Sequence, residues 1–167
     1  MPWYRAFRSA TYSGLLGAVV WTVLLVLPFE PFSHLLPIVE HGGPGTWFLL
    51  AYLLFLIINL AGFGVLTSLL YTIEMQENRA PNQSIMLSGY VLLVAGSFSS
   101  CILLALGGAL GGYAETVNNE PLSQVQSLLS AYVLPITATA LMTVLGAALT
   151  LVGMIEAGKS PHAKVSS

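Results

Sequence analysis

Charged residues are so sparse in this chain that they mark out its architecture. Between them lie four uncharged, mostly apolar runs, at 9–29, 42–73, 80–114 and 121–155. A helix needs about 20 consecutive apolar residues to cross the hydrocarbon core of a bilayer. Each run reaches that length. The last three exceed it, and the surplus is expected as extension into the headgroups or as tilt. The pattern predicts an all-α integral membrane protein of one domain, 1–167. It would be a four-transmembrane-helix bundle in up-down-up-down order, with spans at 10–28, 47–71, 84–112 and 127–155. An outer loop at 29–46, an inner loop at 72–83 and a cytoplasmic tail at 157–167 complete the reading.

The first run begins like a secretory leader, with Arg5 and Arg8 ahead of an apolar stretch. It continues as Leu27-Pro28-Phe29-Glu30-Pro31-Phe32, without a small-x-small cleavage site. It is therefore expected to be a retained helix. Four crossings put the N-terminus, the 72–83 loop and the tail on one side. Arg5, Arg8, Arg79, Lys159 and Lys164 all fall there, while Glu30, Glu40, Glu115 and Glu120 fall on the other. The excess of basic residues in cytoplasmic loops then places both termini in the cytoplasm, in a cell membrane crossed several times.

Composition agrees. The chain is 56% hydrophobic and 7% charged, against roughly 25% charged in soluble domains. A net charge of −2 argues against nucleic acid as a partner, because phosphate binding calls for a basic patch. Cys101 is the single cysteine, so there is no internal disulfide framework and no CxxC pair. Trp3, Tyr4, Tyr12, Trp47, Tyr71 and Tyr113 sit near predicted helix ends, where amphipathic rings prefer to lie. Trp21, Tyr52, Tyr90 and Tyr132 are deeper and read as packing residues.

In lipid, small residues that permit close approach mark helix contacts. The third span holds Gly96 and two overlapping GxxxG pairs, Gly107 with Gly111 and Gly108 with Gly112. The fourth offers Thr143, Gly146 and Thr150, and tight apposition of these two helices is expected. Pro135 should bend the fourth helix, with Thr137 or Thr139 serving the freed carbonyls. Tyr12-Ser13-Gly14-Leu15 and Leu87-Ser88-Gly89-Tyr90 open the first and third spans, and Ile73-Glu74 and Ile155-Glu156 close the second and fourth. This echo raises the idea of a duplicated hairpin in parallel orientation.

Candidate chemistry is thin. No Asp, Glu, Lys, Arg or His lies in the middle of any span, whereas proton-coupled carriers and bis-histidine haem proteins place theirs there. Asn59 is the one strongly polar side chain near mid-depth and is expected to clamp two helices. Glu30, His34, Glu40 and His41 share the outer loop, and imidazole with carboxylate suits zinc, copper or iron. Glu30 and His34 are one helical turn apart, Pro37 should interrupt any longer helix, and the spacing of the histidines matches no metal signature. Glu74 and Glu77 are expected to pair with Arg79 or a basic partner, Ser84 to cap the third helix, and His162 to be solvated in a tail of disorder-like composition. No P-loop, GxSxG, HExxH or triad is present, which leans against an enzyme.

Three functional readings result. The first is a non-catalytic four-helix membrane subunit, acting through helix packing in a larger complex, such as a respiratory one, or in a homo-oligomer. The second is a small redox protein holding a metal ion or haem at His34, His41, Glu30 and Glu40. The third is a carrier or channel for a neutral substrate passing Asn59. No cofactor is expected under the first reading, and its partners are the bilayer and other membrane subunits or further copies.

Overall fold

The computed structural model describes residues 2–30 and 32–159. Five helices account for nearly all of them: α1 (Trp3–Val26), α2 (Leu35–His41), α3 (Gly45–Gln76), α4 (Gln83–Thr116) and α5 (Leu122–Lys159). The helices α1, α3, α4 and α5 are long and apolar enough to cross a membrane, and the chain is a multi-pass membrane protein. At 1.5 Å per residue, the 32 to 38 residues of α3, α4 and α5 reach roughly 50 Å or more, well beyond a hydrocarbon core of about 30 Å.

Every long helix is longer than the span read from hydropathy, and each extension has a local cause. Helix α1 begins at Trp3 rather than at residue 10. Pro2 precedes it and supplies no side-chain cap. Glu74, at the end of α3, does so instead: Oε1 accepts the Trp3 N–H at 2.8 Å and Oε2 the Tyr4 N–H at 3.0 Å. Helix α3 runs on to Gln76 through a wide π turn, closed by Glu77 N–H on the Thr72 carbonyl at 3.0 Å. Helix α4 is capped by Asn82, whose side chain accepts the Ser84 N–H at 3.1 Å, so Ser84 is a residue of the first turn and not the cap. Helix α5 starts at Leu122, because the turn is short. Asn119 adopts φ 53° and the Glu120 N–H returns to the Ala114 carbonyl at 2.9 Å. The tail expected at 157–167 begins as the end of α5; 160–167, with His162 and Lys164, lie outside the described residues.

The outer loop is not a plain loop. A 3-10 turn, Phe32–His34, leads directly into α2. Pro37 does not interrupt it. It lies in the first turn, where a missing N–H removes no intrahelical bond. Gly42 and Gly43, at φ 85° and 53°, then turn the chain into α3, a conformation glycine adopts without steric penalty.

Each long helix packs on its neighbour in sequence: α1 along α3, α3 along α4, and α5 almost wholly along α4. At the end near Glu74, the side chains of Phe7, Phe63, Leu70, Met86, Leu93 and Met154 form one buried cluster. The Phe7 ring lies edge-on to Phe63 at 6.2 Å and to Tyr90 at 5.0 Å.

Helix α4 carries its glycines on two faces. Gly89 fits against Thr150 and Gly96 against Thr143, while Gly146 of α5 receives the backbone of Leu93. Of the overlapping GxxxG pairs, Gly107 and Gly111 sit between α5 and the start of α3, against Tyr132 and Trp47 and against Leu129 and Pro44 respectively. Gly108 meets the backbone of Trp47 and Phe48, and Gly112 meets Ile38. Pro135 is accommodated within α5. Thr137 bonds the Val133 carbonyl at 2.8 Å and Thr139 the Pro135 carbonyl at 2.9 Å. The carbonyl that Pro135 leaves without a donor belongs to Ala131, so neither hydroxyl has the role expected of it.

The suggested hairpin repeat has no common register. Gly14 packs on Asn59, about four turns before Glu74, but Gly89 packs on Thr150, less than two turns before Glu156.

Candidate functional site

Three features concentrate what chemistry the chain holds: a buried polar contact at its centre, an apolar cavity toward α2, and the carboxylates at helix ends.

Asn59 is fully buried in α3. Its Oδ1 accepts a hydrogen bond from Ser97 Oγ of α4 at 2.7 Å, and its Nδ2 points to the Cys101 sulfur at 3.9 Å. Ser97 is equally inaccessible. Both ends of the amide therefore meet protein partners, as a polar group in hydrocarbon surroundings requires. Ser100 Oγ turns back to the Ser97 carbonyl at 3.2 Å.

The backbone around Asn59 is a π-helical segment, Leu56–Gly62. The buried residues Ala51, Phe55, Asn59 and Phe63 recur every four positions. A regular helix would carry such a series around its axis by about 40° per step. The wider π turn keeps Phe55, Asn59 and Phe63 on one face. On its other side the Asn59 carbonyl meets Gly14 of α1, where a Cβ would collide with it. One residue thus ties α3 to α4 by its side chain and to α1 by its backbone.

Farther toward α2, α1 and α4 leave space between them. A cavity of about 540 Å³ opens there, within the size of small-molecule sites. Gly17, Val20, Trp21 and Leu24 form one wall, and Ile102, Leu106, Ala109 and Tyr113 the other. Phe48 lies at the back, and Phe32, Leu35 and Ile38 close the end. Ile38 is fixed in that position because Gly45 and Gly112 leave it room. The Trp21 ring is held among Phe48, Tyr52 and Phe55, with centroids 5.4 to 5.9 Å away. Its Nε1 is buried without a hydrogen-bond partner.

The residues singled out as metal ligands do not gather. His34 Nε2 lies 3.8 Å from Glu30 Oε1, and its ring meets Tyr113 edge-on at 5.7 Å, beside the closed end of the cavity. Glu40 and His41 are exposed at the far end of α2. Among the described residues no three His, Cys, Asp or Glu side chains are placed to hold a metal ion.

Two of the carboxylates near the helix ends, Glu74 and Glu77, have structural partners, whereas Glu115 Oε2 is buried without a hydrogen-bond partner. Glu74 caps α1, as above, and does not pair with Arg79. Glu77 does, at 3.3 Å. At the opposite end Glu115 reaches the Gly43 turn ahead of α3, where the helix dipole favours negative charge. Arg5 and Arg8 lie beside the Tyr4 ring, 5.8 and 5.9 Å from its centroid.

Comparison with known proteins adds no relative: no family model, no curated protein and no solved structure matches the chain.

Proposed function

We propose that this chain is a non-catalytic subunit of a membrane assembly, joined to other subunits or to further copies of itself by helix packing. In this reading it crosses the membrane four times, up-down-up-down, with both termini in the cytoplasm and Glu30, Glu40, Glu115 and Glu120 on the outer side.

The observation that carries the reading is the position of α5. It leans on α4 alone for almost its whole length. Its outward side presents Ala131, Leu134, Ala138, Leu141, Leu145 and Ala148, all exposed. They recur at alternating steps of three and four, three of them alanines and three leucines. Such spacing forms a straight seam against a neighbouring helix, and its small residues let the two backbones approach. Of the buried polar side chains, Asn59 bonds Ser97 across α3 and α4, and Thr150 bonds the Gly146 carbonyl of its own helix at 2.8 Å.

Native mass spectrometry of the protein released gently from its own membranes tests this. The 17.7 kDa chain should travel with further protein mass. A bare monomer under the same conditions that preserve other membrane complexes would overturn the reading.

A further inference from the structure

The cavity between α1 and α4 stands apart from the packing role proposed above, because no residue of α5 lines it. Its walls offer hydrocarbon and aromatic surface, so water entering it would find too few polar partners to stay. In a membrane-spanning helix pair the neighbouring solvent is lipid tail. The cavity has the form such a tail fills: side walls from α1 and α4, a back at Phe48, and an end covered by α2.

That end also supplies a place for a polar head. The Tyr113 ring is both wall and rim, His34 stands against it, and Glu30 is 3.8 Å from His34. The nearby sequence carries Glu30, Glu40, Glu115 and Glu120 and no Lys or Arg. An anionic headgroup would meet like charge there. A zwitterionic head carries the same phosphate but adds an ammonium, which can pair with Glu30 and offset the like charge.

We propose that the cavity holds one hydrocarbon tail of a zwitterionic phospholipid. The tail lies between α1 and α4 against Trp21, and the head lies at the α2 end beside His34 and Glu30. Trp21 is then a built-in reporter, since its half-buried ring is reached by a tail through the cavity.

The test uses the full chain with Trp3→Phe and Trp47→Phe, leaving Trp21 as the sole fluorophore. It is reconstituted in bilayers of dioleoyl phosphatidylcholine with increasing chain-brominated phosphatidylcholine. Bromine should quench Trp21 strongly. Filling the cavity from either wall, with Ala109→Phe or Val20→Phe, should reduce the quenching at least twofold. Leu16→Phe, exposed on α1 outside the cavity, should leave it unchanged. Chain-brominated phosphatidylglycerol at the same mole fraction should quench less. Unchanged quenching in both filled variants, each folded by circular dichroism, would overturn the proposal. So would stronger quenching by the anionic lipid, or a native mass spectrum showing a bound non-phospholipid molecule lost on cavity filling.

Discussion

Ser97 and Asn59 join α4 to α3 by a 2.7 Å hydrogen bond between two fully buried side chains. Neither has access to water, so each is the other's principal means of satisfying its polar group. Interhelical hydrogen bonds in membrane proteins are worth about 0.6 kcal/mol on average and up to about 1.7. A double-mutant cycle with Asn59→Leu and Ser97→Ala, measured by unfolding in mixed micelles, should return a coupling energy in that range. A coupling indistinguishable from zero would show that the pair contributes nothing as a pair.

Glu74→Ala should loosen the first turn of α1. The substitution removes both acceptors from Trp3 and Tyr4, and loss of a cap costs about 1 kcal/mol. Glu74→Gln keeps one acceptor and loses the charge–dipole attraction, worth about 0.3–1 kcal/mol. The expected order of thermal stability in detergent is wild type, then Gln, then Ala. Hydrogen exchange at Trp3 and Tyr4 should rise in the same order.

Glycine-to-alanine changes should separate contact glycines from merely helical ones. A Cβ at Gly108 meets the Phe48 backbone, and one at Gly146 meets Leu93. Neither backbone can give way as a flexible side chain would. Both variants should be destabilised by about 1–3 kcal/mol. At Gly64 the nearest atom to a Cβ is the Thr11 methyl at 3.9 Å. Gly64→Ala should be neutral or stabilising, by up to about 1 kcal/mol, because alanine is the better helix former. Reversed signs would mean that these glycines are not where the helices touch.

The proposed orientation is checked by labelling. In a Cys101→Ala background, Asn118→Cys should react with an impermeant maleimide on intact cells and Asn78→Cys should react only after lysis. The opposite result would invert the topology.

Hydropathy was enough to find the four membrane-crossing helices, and polarity was enough to single out Asn59. Both are properties of one segment or one residue measured against lipid. The features that escaped are pairwise. The partners of Glu74 are backbone N–H groups, which every non-proline residue owns, so nothing in the sequence near Trp3 announces them. Pro37 reads as a break in the sequence because proline statistics do not say which turn of a helix it will occupy. The cavity was invisible for the same reason. Gly17, Val20, Leu24, Leu106 and Ala109 look like ordinary residues of a spanning helix, and only the separation of α1 from α4 makes them a wall.

The Glu74 cap also gives the chain a sense of order during its synthesis. Trp3 leaves the ribosome 71 positions ahead of Glu74, so α1 enters the membrane with its first amides unmatched. They find their acceptor only after α3 has been made. In the proposed four-crossing topology, an α3 that failed to cross would leave Glu74 on the other face of the membrane from Trp3 and Tyr4. The contact can therefore close once α1 to α3 are in place, before α4 and α5 have been made.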